Sequence, residues 1–200
     1  MAASVPRLIL ASASSARAMV LEGAGLDFDI RPADVDEDGL KARLADADTE
    51  TIAAALAREK ALAVSLPEPK ALVIGADQIL DCEGRRFDKP RDRAEARRHL
   101  EFLRGRTHRL VSAVCLVRGG EPLWGHVASV RLSMRSFSDG FLDGYLARSG
   151  GEILESVGVY RLEGIGVQLF DRIDGDYFSV LGLPLLPLLA ELRSRGVVAD

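Results

Sequence analysis

The chain has 200 residues, 48% of them hydrophobic and 28% charged, with a formal net charge of −4. That balance excludes a disordered chain and accommodates one compact domain, or two lobes sharing a continuous sheet. The negative charge argues against broad affinity for nucleic acid, which needs a positive surface, but not against a small phosphorylated ligand in a local positive pocket.

Arg7 to Ala11 reads as a short buried strand, followed by a Ser-rich turn. Its apolar stretch is too short for a secretory signal, and Arg17 follows soon after. A helix is predicted from about Ser15 to Glu22, with Gly23 and Gly25 as stop signals. Asp27 to Gly39 is predicted extended or looped, because Pro32 breaks any helix. Thr49 to Leu66 is Ala-rich with Ile52, Leu56 and Ala63 at helical spacing, and predicts a helix. Ala71 to Ala76 is a near-continuous apolar run ending at Asp77, the pattern of a central strand buried on both faces.

Glu83-Gly84 predicts a hairpin turn into Phe87, beside which Cys82 can be exposed. Asp92 and Glu95 have capping-box spacing ahead of a helix that stops at Gly105. Leu110 to Val117 and His126 to Leu132 flank Gly119-Gly120 as a second hairpin, with Cys115 in its core. Two cysteines are too few for a disulfide framework. Ser138 caps a predicted helix through Arg148, closed by Gly150 and Gly151. Gly166 to Ile173 reads as a strand and Leu185 to Arg195 as the last helix. The apolar run from Leu181 to Leu192 is too short to span a bilayer, and Pro184 and Pro187 suit a helix start. Together these elements predict a mixed α/β sheet with flanking helices, in a cytoplasmic protein with no membrane partner.

Several patches carry chemistry. Ser12, Ser14 and Arg17 lie between a strand and a helix, where unpaired N–H groups and the positive helix dipole favour phosphate. On local sequence alone the capping reading is the commoner one, because serines at helix starts are frequent. Gly75-Ala76-Asp77 falls at the predicted carboxyl end of a strand, where ligands of open α/β sheets bind. A carboxylate there can hold Mg²⁺ or Mn²⁺, or take a proton from water, and the small residues leave room for a ligand.

In the acidic run Asp34-Val-Asp36-Glu37, Glu37 can share a metal with Asp77, although such runs are often solvated loops. Lys60 and Lys89 can neutralise a triphosphate or simply face solvent. His99, His108 and His126 lack zinc spacing. There is no G-x-x-x-x-G-K-[ST] loop and no G-x-S-x-G elbow, which excludes a P-loop enzyme and that type of serine hydrolase.

Taken in order, the patches resemble the Maf family of septum-formation-inhibitor-like nucleotide pyrophosphatases. The L-A-S-x-S opening is matched by Leu10 through Arg17, and the D-E pair by Asp36-Glu37. The A-x-x-K-A helix matches Ala57 through Ala61, and G-A-D matches Gly75 through Asp77. K-P falls on Lys89-Pro90, G-[RK]-x-H on Gly105 through His108, and the closing G-D-Y-x-x-V-x-G-L-P on Gly175 through Pro184. The likeness runs from residue 7 to about 195, which makes residues 1–200 a single Maf-like domain.

The resemblance implies two lobes around a cleft, similar to inosine-triphosphatase-like proteins, and a homodimer that acts on nucleoside triphosphates with Mg²⁺, Mn²⁺ or Co²⁺. It implies Asp77 as general base or metal-positioning acid, with Glu37 as companion metal ligand. Ser12, Ser14, Arg17, Lys60 and Lys89 would bind phosphates.

The chain also departs from the family pattern. Ser15-Ala16 stands where many members have Pro-Arg, and Ser156 replaces a lysine. Glu163 stands where members preferring dTTP and UTP carry Gln, and resembles the branch linked to 7-methyl-GTP. A carboxylate accepts hydrogen bonds from a guanine edge, whereas an amide also donates. The expected activity is hydrolysis of (d)NTPs, including modified ones, to monophosphate and pyrophosphate, with a possible tie to cell-division arrest. The alternative is a nucleotide-sensing protein that acts through partners in division control.

Overall fold

A computed structural model describes residues 6–199. In chain order the first elements are β1 (Leu8–Leu10), α1 (Ser15–Gly23), β2 (Asp29–Ile30), α2 (Glu37–Arg43) and α3 (Thr49–Ser65). Next come β3 (Leu72–Cys82), β4 (Arg85–Phe87), α4 (Arg93–Leu103), β5 (Thr107–Arg118), β6 (Glu121–Met134) and α5 (Asp139–Arg148). The chain ends with β7 (Phe170–Asp174), α6 (Tyr177–Val180) and α7 (Leu185–Ser194); 3₁₀ turns occupy Gly151–Glu155 and Ile165–Leu169. The sheet runs β2-β1-β3-β5-β6-β7, with β4 on β3. β1 is parallel to both β2 and β3, while β4 on β3 and β7 on β6 are antiparallel. It is a mixed sheet with helices, as predicted.

The chain divides into two compact units. The first comprises the chain up to Asp77, Ser112–Ala128 and the stretch from Leu181; the second comprises Gln78–Val111 and Ser129–Val180. In the first unit, Ile9, Leu10, Leu21, Ile52, Leu56, Val73, Ile74, Leu116 and Leu188 are fully buried. The second has its own core, in which Leu80, Leu100, Leu103, Leu132, Leu142, Tyr145 and Val159 lose nearly all exposure.

Local signals set most boundaries. Ser14, Asp48, Asp92 and Ser138 each accept a backbone N–H as N-caps of α1, α3, α4 and α5. The capping box at α4 is half reciprocal. Asp92 accepts from the Glu95 N–H, but the Glu95 carboxylate reaches back to the backbone and side chain of Arg91. Both predicted hairpin turns place two consecutive residues at positive φ, Glu83-Gly84 and Gly119-Gly120, the geometry that matches strand twist.

Four expectations need correction. α2 begins inside the segment predicted to be looped. It buries no residue, so it shows no apolar period; Asp36 caps it through the Gly39 N–H, with acids in its first turn and Lys41 and Arg43 in its last. Phe170–Asp174 is a strand, but residues 165–169 before it form a 3₁₀ turn. Cys82 is fully buried rather than exposed.

The fourth correction concerns β3, which does not end at Asp77 but continues to Cys82. Each polar residue in that continuation finds a partner distant in sequence. Asp77 takes Lys60, Gln78 donates to the carbonyls of Ser179 and Val180, and Asp81 takes Arg109. What does end near Asp77 is the parallel pairing with β1, whose last partners are Leu10 and Ile74. Asp77 therefore still sits just beyond the end of a parallel pair.

Candidate active site

The first unit brings Ser12, Arg17, Glu37, Lys60 and Asp77 together, and the reason begins with Gly75. A Cβ at that position would lie 2.1 Å from the Ala57 carbonyl oxygen and 2.7 Å from the Ala61 methyl. The hydrogen of Gly75 and the small side chains of Ala57 and Ala61 thus let α3 lie directly on β3. The missing side chain serves this helix contact rather than making room for a ligand. Side chains two apart on a strand share a face, so Asp77 points the same way as Gly75. Lys60, between the two alanines, meets it: Nζ is 2.6 Å from Asp77 Oδ1 and 2.8 Å from Glu37 Oε1.

One ammonium thus bridges two carboxylates from different elements. Asp77 is 6% exposed. Burial raises its pKa, while Lys60 and Arg17 act in the opposite direction by favouring the carboxylate. Glu37, at the first position of α2, is the more exposed of the two acids.

Arg17 knits the neighbouring turn. Its Nε donates to the Gly182 carbonyl at 2.9 Å; its Nη1 donates to Ser12 Oγ at 3.1 Å and to the Ala76 carbonyl at 3.0 Å. Burial lowers its pKa, with Asp77 and Glu37 offsetting. Ser12 Oγ also accepts the Ser14 N–H. With two donors on its oxygen, the Ser12 hydroxyl is left to donate its own hydrogen. Ser14 caps α1 through the Arg17 N–H. The sequence marks Gly182 only as part of the closing motif; in the structure it adopts a positive φ, the conformation that favours glycine.

The other two expected site residues belong to the second unit. Lys89 pairs with Glu155 at 3.1 Å, both well exposed. Glu163 accepts from Arg161 Nε at 2.7 Å, and Arg161 also pairs with Glu152. A cavity of about 360 Å³ is lined by Tyr145, Arg148, Ile153, Arg161, Glu163 and Gly166, among others. Ser156, at the position of the family's lysine, donates its hydroxyl to the Tyr160 carbonyl at 2.8 Å.

His108, from the G-[RK]-x-H pattern, is buried against Tyr160, and burial pushes its pKa down to about 4. An unfolded histidine titrates near 6.5, so between these values the unfolded chain binds more protons. Stability is therefore expected to fall as pH drops from about 6.5 to about 4, by up to about 3 kcal/mol, and to level off below. Urea midpoints measured across that window should slope less steeply in His108→Gln than in the wild type, the remaining slope coming in part from His99, whose pKa burial also lowers. Equal slopes would assign the effect to other groups.

A mixed α/β protein in which one lysine bridges a buried and a half-exposed carboxylate beside a helix N-terminus is the class that fold and site define. The chain belongs to the Maf-like protein family, whose pattern it matches over residues 7–195. It is 50% identical to a 7-methyl-GTP pyrophosphatase of Rhizobium etli, with 96% of this chain and 98% of that one covered. It is 54% identical to a nucleoside triphosphate pyrophosphatase of Granulibacter bethesdensis, covering 94% and 97%. A nucleoside-triphosphatase / dITP/XTP pyrophosphatase structure from Mycobacterium abscessus matches at 18% identity and a TM-score of 0.40, over 96% and 95%. Among the described residues, no helix is long and apolar enough to cross a membrane.

Proposed function

We propose that this chain is a metal-dependent nucleoside triphosphate pyrophosphatase, acting in the cytoplasm as a homodimer and favouring a methylated guanine nucleotide over dTTP and UTP. Relatives at about half identity carry both pyrophosphatase names, and Glu163 supports the guanine preference. The observation that carries the reading is the Glu37–Lys60–Asp77 centre. A single ammonium already touches both carboxylates, so one cation can share them.

The two carboxylates bridged by Lys60 suit a hard divalent cation completed by water and phosphate oxygens. Glu37 and Asp77 would hold that ion, which supplies charge neutralisation and lowers the pKa of water. Lys60 and Ser12 would engage phosphate oxygens, and the start of α1 adds the positive end of its dipole. Asp77, its pKa raised by burial, is suited to accept the proton of the attacking water. A new oxygen–phosphorus bond forms at the α-phosphate, the α–β anhydride breaks, and pyrophosphate leaves.

A panel of ordinary and methylated triphosphates assayed for pyrophosphate with Mg²⁺, Mn²⁺ and Co²⁺ tests this. Pyrophosphate release that requires the metal and is fastest with 7-methyl-GTP is the expected result. Glu163→Gln is expected to lower the preference for 7-methyl-GTP over UTP by about tenfold, the loss of one hydrogen bond to a charged acceptor. Monophosphate formed with orthophosphate instead of pyrophosphate would remove the assignment.

A further inference from the structure

The segment from Ser156 to Gly166 carries Arg161 and Glu163, and it is wound more tightly than a surface loop requires. Val159 has φ +61, and apart from Glu83 in the β3–β4 turn it is the one non-glycine residue at positive φ among the described residues. A β-branched, fully buried side chain rarely adopts that conformation, which persists only where surroundings over-determine it.

Here the surroundings are hydroxyls, those of Tyr145 and Tyr160 buried and that of Ser156 half-buried. Tyr145 donates to the Val159 carbonyl at 2.8 Å, and Ser156 donates to the Tyr160 carbonyl at 2.8 Å. The Val159 N–H closes back on the Ser156 carbonyl at 3.1 Å. The Tyr160 hydroxyl meets His108 Nε2 at 2.7 Å.

Two glycines complete the winding. A Cβ on Gly158 would lie 2.2 Å from the Tyr160 ring, and one on Gly166 would lie 2.6 Å from the Arg161 carbonyl oxygen. The Tyr160 ring is also braced edge-on by Phe170, with centroids 4.7 Å apart. The bond from His108 ends on Tyr160, and Arg161, the next residue, carries Glu163.

We propose that His108, Tyr145 and Tyr160 are positioning residues that fix the Arg161–Glu163 pair at the wall of the second unit's cavity, and so set discrimination between nucleobases. The inference rests on the reading of Glu163 as a base-recognition residue. It goes beyond it by assigning the G-[RK]-x-H histidine and two tyrosines to specificity rather than to the chemical step. Chemistry at the α-phosphate is served by residues of the first unit, so disturbing the loop should leave turnover intact.

Tyr160→Phe removes one hydroxyl and keeps the ring, and it is the cleanest probe. With 7-methyl-GTP its KM is expected to rise about five- to tenfold at nearly unchanged kcat, and the preference over UTP to fall accordingly. Tyr145→Phe should act in the same direction, and both should speed hydrogen exchange of the amides in residues 159–164. In a Glu163→Gln background, Tyr160→Phe should add little, because both changes remove one function.

If Glu163→Gln shifts base preference while neither tyrosine variant does, the positioning role is overturned and the reading of Glu163 survives. If the tyrosine variants shift preference and Glu163→Gln does not, the reading of Glu163 fails and the coupling proposed here fails with it. Equal losses of kcat on every triphosphate would also overturn the proposal, since they would mark a general structural role.

Discussion

Asp77→Asn is expected to abolish metal-dependent pyrophosphate release, lowering kcat/KM by on the order of 10³-fold or more, while leaving the fold intact. The substitution is isosteric and removes the negative charge. It thereby removes a proton acceptor, a contribution worth roughly 10² to 10⁴ by itself, and one of the two carboxylates available to a metal. Stability should change little. Lys60 keeps its 2.8 Å contact to Glu37, so no ammonium is stranded, and a neutral amide in a site that is 6% exposed escapes the desolvation that burdens the carboxylate.

The opposite deletion behaves differently. Lys60→Met leaves the Asp77 carboxylate buried without its nearest cation, which drives its pKa further up and costs about 3 kcal/mol or more. Pyrophosphate release, Mn²⁺ binding followed by EPR and thermal unfolding of both variants separate the two roles. Wild-type turnover by Asp77→Asn would remove that residue from the mechanism.

How far the sequence could take a reader depended on where each residue's partners lie along the chain. Caps, hairpin turns and apolar periods are local, and they located α1, α3, α4, α5, α7 and both hairpins to within a few residues. α2 was missed because it buries nothing and is held by a capping aspartate and end charges alone. The continuation of β3 was missed because Asp77, Gln78 and Asp81 look like the polar close of a strand until residues 60, 109, 179 and 180 are seen to satisfy them.

The site divides in the same way. Residue types and motif order singled out Ser12, Arg17, Glu37, Lys60 and Asp77, but not that one ammonium bridges both acids. Nor could the sequence show that Arg17 spends three hydrogen bonds on protein acceptors, one of them the carbonyl of Gly182. Those are three-dimensional contacts between segments up to 165 positions apart.

The same geometry makes Gly75 a sensitive position although it bears no functional group. Gly75→Ala is expected to destabilise the protein by about 3 kcal/mol and to lower turnover by on the order of 10²-fold in the molecules that remain folded. The added methyl would meet the Ala57 carbonyl oxygen at 2.1 Å and the Ala61 backbone nitrogen at 3.0 Å. Two of the three nearest atoms are helix backbone, which no rotamer change can move aside. Either β3 bulges or α3 lifts away, and lifting exposes the fully buried Ile52, Leu56, Ala57 and Ala61 face. Lys60 rides on that helix between the two contact points. A displacement of about 1 Å takes its ammonium out of hydrogen-bond range of Asp77, and misplacement on that scale costs about 10² in rate. Gly23→Ala, where an added Cβ meets nothing within 4 Å, is the matched control and should be close to neutral. Urea denaturation and pyrophosphate release on the two variants decide the matter. A Gly75→Ala protein as stable as the wild type would show that α3 does not depend on this close approach. A folded one with full activity would show that the catalytic centre tolerates a shift of Lys60.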